Sequence, residues 1–153
     1  MRLIAGLLFI GFFSFFTAPE FTDWGGYNGG DNRNHFSPLT QINVSNVKNL
    51  KLAWSYSSGG ADTVNQTTQI QCNPIIIQGV LYGVSAGSQA FALDAKSGRE
   101  IWKTAIQEKT PSMNSRGVAF YSSPGQRSKI FFGYGSYLFA LDAKTGKPDE
   151  AFG

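Results

Sequence analysis

One cysteine and one histidine are the whole supply of the side chains that most often form disulfides or hold transition metals. The lone Cys72 excludes an internal disulfide framework. The lone His35 excludes a histidine cluster for zinc or copper, and no Ser-His-Asp arrangement can be assembled around it. Cys72 therefore reads as a small buried hydrophobe and His35 as a loop or packing residue. Charge is sparse too: Asp, Glu, Lys and Arg make up 15% of the chain, with a formal net charge of +3. The Lys and Arg are scattered, so no basic stripe marks a nucleic-acid partner, and none is expected. Long apolar runs are also missing. The one at residues 3–16 falls short of the ~20 residues a membrane-spanning helix needs, and Gly6, Gly11 and Ser14 weaken it further.

What is abundant is glycine, 18 residues, and aromatics, 14%, the composition of a turn-rich all-β protein. The organising stretch is Phe-Ala-Leu-Asp-Ala-Lys-Ser-Gly-Arg-Glu-Ile-Trp at residues 91–102. It returns as Phe-Ala-Leu-Asp-Ala-Lys-Thr-Gly at residues 139–146, an offset of 48 residues (139 less 91). That period is near the length of a four-stranded propeller blade. Each copy runs strand, Asp-Ala-Lys-Ser/Thr-Gly turn, next strand; the Gly supplies a positive φ and the Asp bonds to backbone amides ahead of it. Short β-branched and aromatic runs bounded by Gly predict strands at Ile75–Ile77, Val80–Val84, residues 90–93 and residues 100–103. Gln78-Gly79 joins the first two as a two-residue hairpin. A second unit is predicted at residues 117–121, Lys129–Tyr134 and Tyr137–Asp142, with a fourth strand due after Gly146. Two such sheets leave large faces that a propeller covers with neighbouring blades. The expectation is an all-β, partial β-propeller: about two blades plus an N-terminal arm.

Residues 1–18 read as a secretory signal: Arg2, an apolar run, then Phe16-Thr17-Ala18 before Pro19 as a small-residue cleavage site. An uncleaved anchor is the rival reading. Either way the body is exported, periplasmic or secreted, with membrane association if the anchor is kept. Residues 19–49 form an arm rich in Gly, Asn and Asp, in which Trp24, Tyr27 and Phe36 are expected to be buried. Asp31-Asn32-Arg33-Asn34 lacks the central Gly and closing Glu of a calcium loop and is discounted. Residues 45–50 suggest one helical turn capped by Ser45, residues 50–56 a strand, and residues 57–65 a loop. The incomplete propeller is placed at residues 50–153.

The arm and first strand, Asp23-Trp24 through Gly30-Asp31-Asn32-Arg33 and Phe36-Ser37-Pro38-Leu39-Thr40 to Trp54, closely resemble the mature N-terminus of pyrroloquinoline-quinone (PQQ)-dependent dehydrogenases. Gln71-Cys72-Asn73-Pro74, residues 91–102, Ser115-Arg116-Gly117-Val118-Ala119-Phe120-Tyr121 and residues 139–152 extend the resemblance over nearly all of residues 23–153. Residues 110–115 hold no cysteine, which makes the wording closer to the glucose dehydrogenase-like branch than to the methanol dehydrogenases, with their adjacent cysteines before the Arg. The resemblance implies that the fold is a partial eight-bladed β-propeller and that the protein is a quinoprotein oxidising an alcohol or sugar by hydride transfer to PQQ, with calcium beside the quinone. It implies that Arg116 pairs with a PQQ carboxylate, a task suited to a planar, permanently charged guanidinium. Gln71 stands where many members carry a cofactor-contacting Glu. Trp102 matches the aromatic that packs one blade on the next, and Phe152 takes that place in the second repeat. The calcium ligands, the catalytic aspartate and the tryptophan under the quinone match nothing before Gly153, so no catalytic residue or metal ligand is assigned here, and this portion is not expected to be active alone. The carboxylates of Asp94 and Asp142 belong to turns and are poor general bases. The electron acceptor, a quinone or a cytochrome, is left open, since no Cys-x-x-Cys-His haem motif is present. The alternative is a non-catalytic propeller scaffold or assembly module, which would have no reason to keep the arm and Arg116.

Overall fold

A computed structural model describes residues 23–105 and 115–152. The expected signal sequence lies outside the described residues. Seven strands form two antiparallel sheets. The first holds β1 (Ile75–Ile77), β2 (Val80–Val84), β3 (Gln89–Asp94) and β4 (Glu100–Ala105) in sequence order. The second holds β5 (Ala119–Tyr121), β6 (Lys129–Tyr134) and β7 (Tyr137–Asp142). Sequential up-and-down pairing is what short turns between strands dictate. Gln78 and Gly79 both take positive φ, 49° and 79°, the geometry of a two-residue hairpin whose twist matches its strands.

The repeated turn is built twice in the same way. Gly98 N–H donates to Asp94 O and Gly146 N–H to Asp142 O, each at 2.8 Å. Asp94 Oδ1 accepts from the amide and hydroxyl of Ser97; Asp142 Oδ1 accepts from those of Thr145. The Ser97 hydroxyl and amide hold the Asp94 carboxyl below its ordinary range. At Asp142 burial pushes upward, but the bonds from Thr145 and Lys144 outweigh it and the carboxyl is also lowered. Both are turn fasteners, as their sequence context predicts.

Strand alternation then sorts the faces. Ala90 and Ala92 of β3 point into a core shared by the two sheets, with Ile75, Tyr82, Val84 and Trp102 from the first and Ile130, Phe132, Leu141 and Ala143 from the second. Leu141 is 0% exposed and Ile75 1%; burial of each contributes about 1.5–3 kcal/mol relative to exposure. The opposite face of β3 meets the chain before β1: the rings of Phe91 and Tyr56 lie 5.2 Å apart. The first sheet is thus covered on both sides, as a blade is.

Tryptophan joins the layers at the repeat interval. Trp102 Nε1 donates to Ala143 O at 2.9 Å, and Trp54 Nε1 donates to Ala95 O at 3.2 Å, each reaching the residue 41 positions ahead. A Cβ at Gly146 would lie 2.5 Å from Trp102 Cε3, and one at Gly98 2.5 Å from Trp54 Cδ2. Each indole lies against the backbone of its glycine.

Several expectations are corrected. Residues 50–56 are extended but lie in no ladder, with Leu52 83% exposed; side-chain bonds from Trp54 and Tyr56 hold them instead. The helical turn is a 3₁₀ turn at Val47–Asn49 preceded by Asn46, without a side-chain cap; Ser45 donates to Asn43 Oδ1 rather than capping. In the arm Trp24 is partly buried and bridges Ile76, whereas Tyr27 and Phe36 are 55% and 66% exposed. The strand expected from residue 117 starts at Ala119, because Gly117 instead forms a parallel bridge with Asn73. The fourth strand after Gly146 amounts to one rung, Leu141 with Pro148. Beside these corrections, Phe152 lies edge-on to Phe131 of β6, with ring centroids 5.3 Å apart.

Candidate functional site

Gln71 and Arg116 lie 45 positions apart in sequence (116 less 71), yet the fold sets their segments side by side. Each segment leads into the first strand of its sheet, β1 or β5. Asn73 and Gly117 pair in parallel, and Asn73 N–H donates to Arg116 O at 3.1 Å. Parallel first strands starting together are what two adjoining blades present at one end of their inner edge.

Gln71 is partly buried, and its side-chain Nε2 donates to Gln69 Oε1 at 3.0 Å. Its own Oε1 is buried and, among the described residues, has no hydrogen-bond partner. Leaving a buried acceptor unpaired costs about 1–3 kcal/mol. Buried polar atoms are seldom left without a partner, so the described residues alone do not complete the surroundings of Gln71 Oε1. Strand alternation turns the neighbouring Cys72 the other way: its Sγ accepts from Val84 N–H at 3.3 Å, among Trp54, Tyr56, Ile70 and Phe91. Burial pushes the Cys72 thiol up, so it is a packing group, as the sequence suggests.

Arg116 is exposed and borders a cleft of about 350 Å³ with Tyr27, Asn73, Val118, Phe131 and Leu138. Among the described residues no carboxylate pairs with its guanidinium; the ion pair found is Lys129 with Asp149, at 2.5 Å. A guanidinium bordering a largely apolar cleft can bind a planar carboxylate through two parallel hydrogen bonds. The fold sets the backbones of these two segments side by side, and Arg116 but not Gln71 lines this cleft. A second cleft of about 730 Å³ lies among the turns of the second sheet, lined by Arg127, Lys129, Asp142, Lys144, Lys147 and Asp149, and shares no residue with the first. There Lys129 already pairs with Asp149. Among the described residues, no three His, Cys, Asp or Glu side chains gather as a metal site.

Sequence reasoning passed over Asn73 and Tyr27. The two-residue spacing from Gln71 marks Asn73 as sharing its side of an extended chain. Nothing in the sequence marks Tyr27, which reaches the cleft through the path of the arm.

Residues 24–153 match the family described as PQQ, glucose/ethanol/alcohol dehydrogenase, β-propeller domain. The dehydrogenase subunit of the alcohol dehydrogenase (quinone) of Gluconobacter oxydans is 35% identical over 135 residues, 82% of this chain and 16% of that subunit. The 1-butanol dehydrogenase (quinone) of Thauera butanivorans is 36% identical, covering 79% of this chain and 19% of that enzyme. The quinoprotein glucose dehydrogenase of Escherichia coli is 33% identical, covering 85% of this chain and 18% of that enzyme. Alcohol and glucose enzymes therefore match at near-equal identity. The chain spans less than a fifth of the length of these curated relatives. The crystal structure of the quinohemoprotein alcohol dehydrogenase from Comamonas testosteroni superposes with a TM-score of 0.69 at 30% identity, over 83% of this chain and 18% of that one. With a repeat of blade length, two stacked sheets and a family match over residues 24–153, the chain belongs to the β-propeller family of PQQ-dependent glucose, ethanol and alcohol dehydrogenases.

Proposed function

We propose that this chain is the N-terminal portion of an exported PQQ-dependent dehydrogenase that oxidises an alcohol or a sugar. Residues 1–18 serve as its signal peptide, residues 19–49 as its arm and residues 50–153 as the first part of the propeller, in the periplasm or outside the cell. The observation that carries the reading is that, among the described residues, a buried Gln71 Oε1 without a hydrogen-bond partner and an Arg116 guanidinium without an ion pair sit on adjoining segments. Arg116 would grip a PQQ carboxylate, and Gln71 Oε1 would accept a hydrogen bond from the cofactor or from a group bound with it. A neutral amide at position 71 puts one negative charge fewer beside the cofactor than a glutamate would. The Trp54 and Trp102 contacts hold the layers that keep these two segments in register. Bound PQQ supplies the two-electron acceptor for a hydride equivalent from the substrate C–H bond. The calcium ligands and the general base belong to parts of the protein beyond residue 153. The electrons pass to a quinone or a cytochrome.

An antibody against residues 23–54 should detect a native product several times longer than 153 residues. That product, reconstituted with PQQ and calcium, should oxidise alcohols or aldoses with an artificial electron acceptor. A product no longer than this chain, with no turnover after reconstitution, would favour the scaffold reading.

A further inference from the structure

Arg116 is an exposed residue whose side chain makes no ion pair among the described residues, so its backbone sets the point from which the guanidinium reaches out. That backbone is held at one oxygen. The main-chain N–H of Asn73 donates to Arg116 O at 3.1 Å, and the side-chain Nδ2 of the same residue donates to that oxygen at 3.3 Å. A carbonyl oxygen only accepts, so the amide nitrogen of Asn73 must be the atom that faces it. The parallel bridge between Asn73 and Gly117 and the Ser115 hydroxyl bonded to Gly117 O at 3.3 Å fix the residues on either side. Asn73 also borders the cleft that holds Arg116 and the adjoining one formed with Trp24, Asn28 and His35, so the arm packs near the clamp.

We propose that Asn73 is the positioning residue for Arg116: two donors from one residue, closing on one carbonyl oxygen, set where the guanidinium can meet the carboxylate of its ligand. The inference rests on the cofactor reading above. The residue type is specific. An aspartate at 73 would place a carboxylate against a carbonyl and compete for the guanidinium, while an apolar side chain would leave only the main-chain bond. Asn73 touches the ligand in no step of this account; it acts through Arg116.

Two variants of matched shape separate the clamp from the fold. Asn73→Thr keeps a hydroxyl donor; Asn73→Val has the same branching without it. The intact protein is titrated with PQQ in the presence of calcium, for each variant with Arg116 present and in an Arg116→Ala background. Asn73→Val should weaken PQQ binding roughly 3- to 10-fold, the size of one net hydrogen bond, and Asn73→Thr should restore it to within about 2-fold. With Arg116→Ala the Val substitution should add nothing, because the two residues act as one unit. Equal weakening by Val with and without Arg116 would overturn the inference, since it would show a general packing role. If Arg116→Ala loses PQQ and Asn73→Val does not, the inference fails while the proposed function stands. If Arg116→Ala binds PQQ as tightly as the unsubstituted protein, the cofactor reading fails and the positioning role falls with it.

Discussion

Replacing Gly146 by alanine tests how one sheet is seated on the next. Gly146 has φ +70°, and a Cβ there would lie 2.5 Å from Trp102 Cε3, 2.6 Å from its Cδ2 and 2.8 Å from Thr104 Oγ1. Two costs follow. The left-handed conformation costs an L-residue about 1–2 kcal/mol, and forcing a methyl into a filled site costs about 1–3 kcal/mol more. Trp102 cannot step aside cheaply. It sits in β4 between ladder bonds, is 8% exposed, and its Nε1 is committed to Ala143 O. Gly98 is the internal control: its φ is +71° and a Cβ would meet Trp54 at the same 2.5 Å. Trp54, however, is only partly buried and rides on an extended segment outside any ladder, so it can shift. Gly146→Ala should therefore destabilise by about 2–5 kcal/mol and Gly98→Ala by little more than the φ cost of about 1–2 kcal/mol. Urea denaturation with an unchanged m-value reads both. In a Trp102→Leu background the steric part at Gly146 should shrink to the contact with Thr104 Oγ1, leaving mainly the φ cost. Equal losses at Gly98 and Gly146, or an undiminished loss at Gly146 without the indole, would refute the packing argument.

Alkaline stability should depend on Tyr56, whose pKa is pushed up to about 12 by burial, by the hydrogen bond its hydroxyl donates to Glu100, and by the charge of that carboxylate. The folded chain holds the phenolic proton more tightly than the unfolded chain, so this contribution is whole below pH 10 and lost as pH rises toward 12. Tyr56→Phe should flatten the fall in urea midpoint over that window; a slope unchanged from that of the unsubstituted protein would show that Tyr56 does not cause it. Cys72, its thiol raised by burial and accepting from Val84 N–H, should react with a thiol-specific reagent far more slowly in the native protein than after denaturation. Equal rates would mean that the cleft around it is open to water.

Much of this fold could be read from short-range signals. The Asp-Ala-Lys-Ser/Thr-Gly turns, the Gln78-Gly79 hairpin and four strands with their bounds follow from residues within a few positions of one another. The errors lie where long-range partners decide. Residues 50–56 have a strand's composition, yet a strand exists only by pairing, and nothing in their own pattern says whether a neighbour is present. Gly117 adjoins the apolar run of Val118 and Ala119, but its parallel bridge pairing with Asn73, 44 positions away (117 less 73), keeps it out of β5. Tyr27 and Phe36 are aromatic and so were expected inside, but an arm without regular structure has too little area to cover every ring. The candidate site was legible only through resemblance: Arg116 and Gln71 carry no local motif, and the orphaned Gln71 Oε1 and the Asn73 clamp are facts of three-dimensional contact.

The most direct measurement is a PQQ titration of the intact protein with calcium present, comparing the unsubstituted form with Arg116→Ala. The account predicts saturable binding of one PQQ, weakened roughly 10- to 100-fold by loss of a charge-assisted bidentate contact. Absence of binding by the unsubstituted protein, or affinity untouched by the substitution, would contradict it.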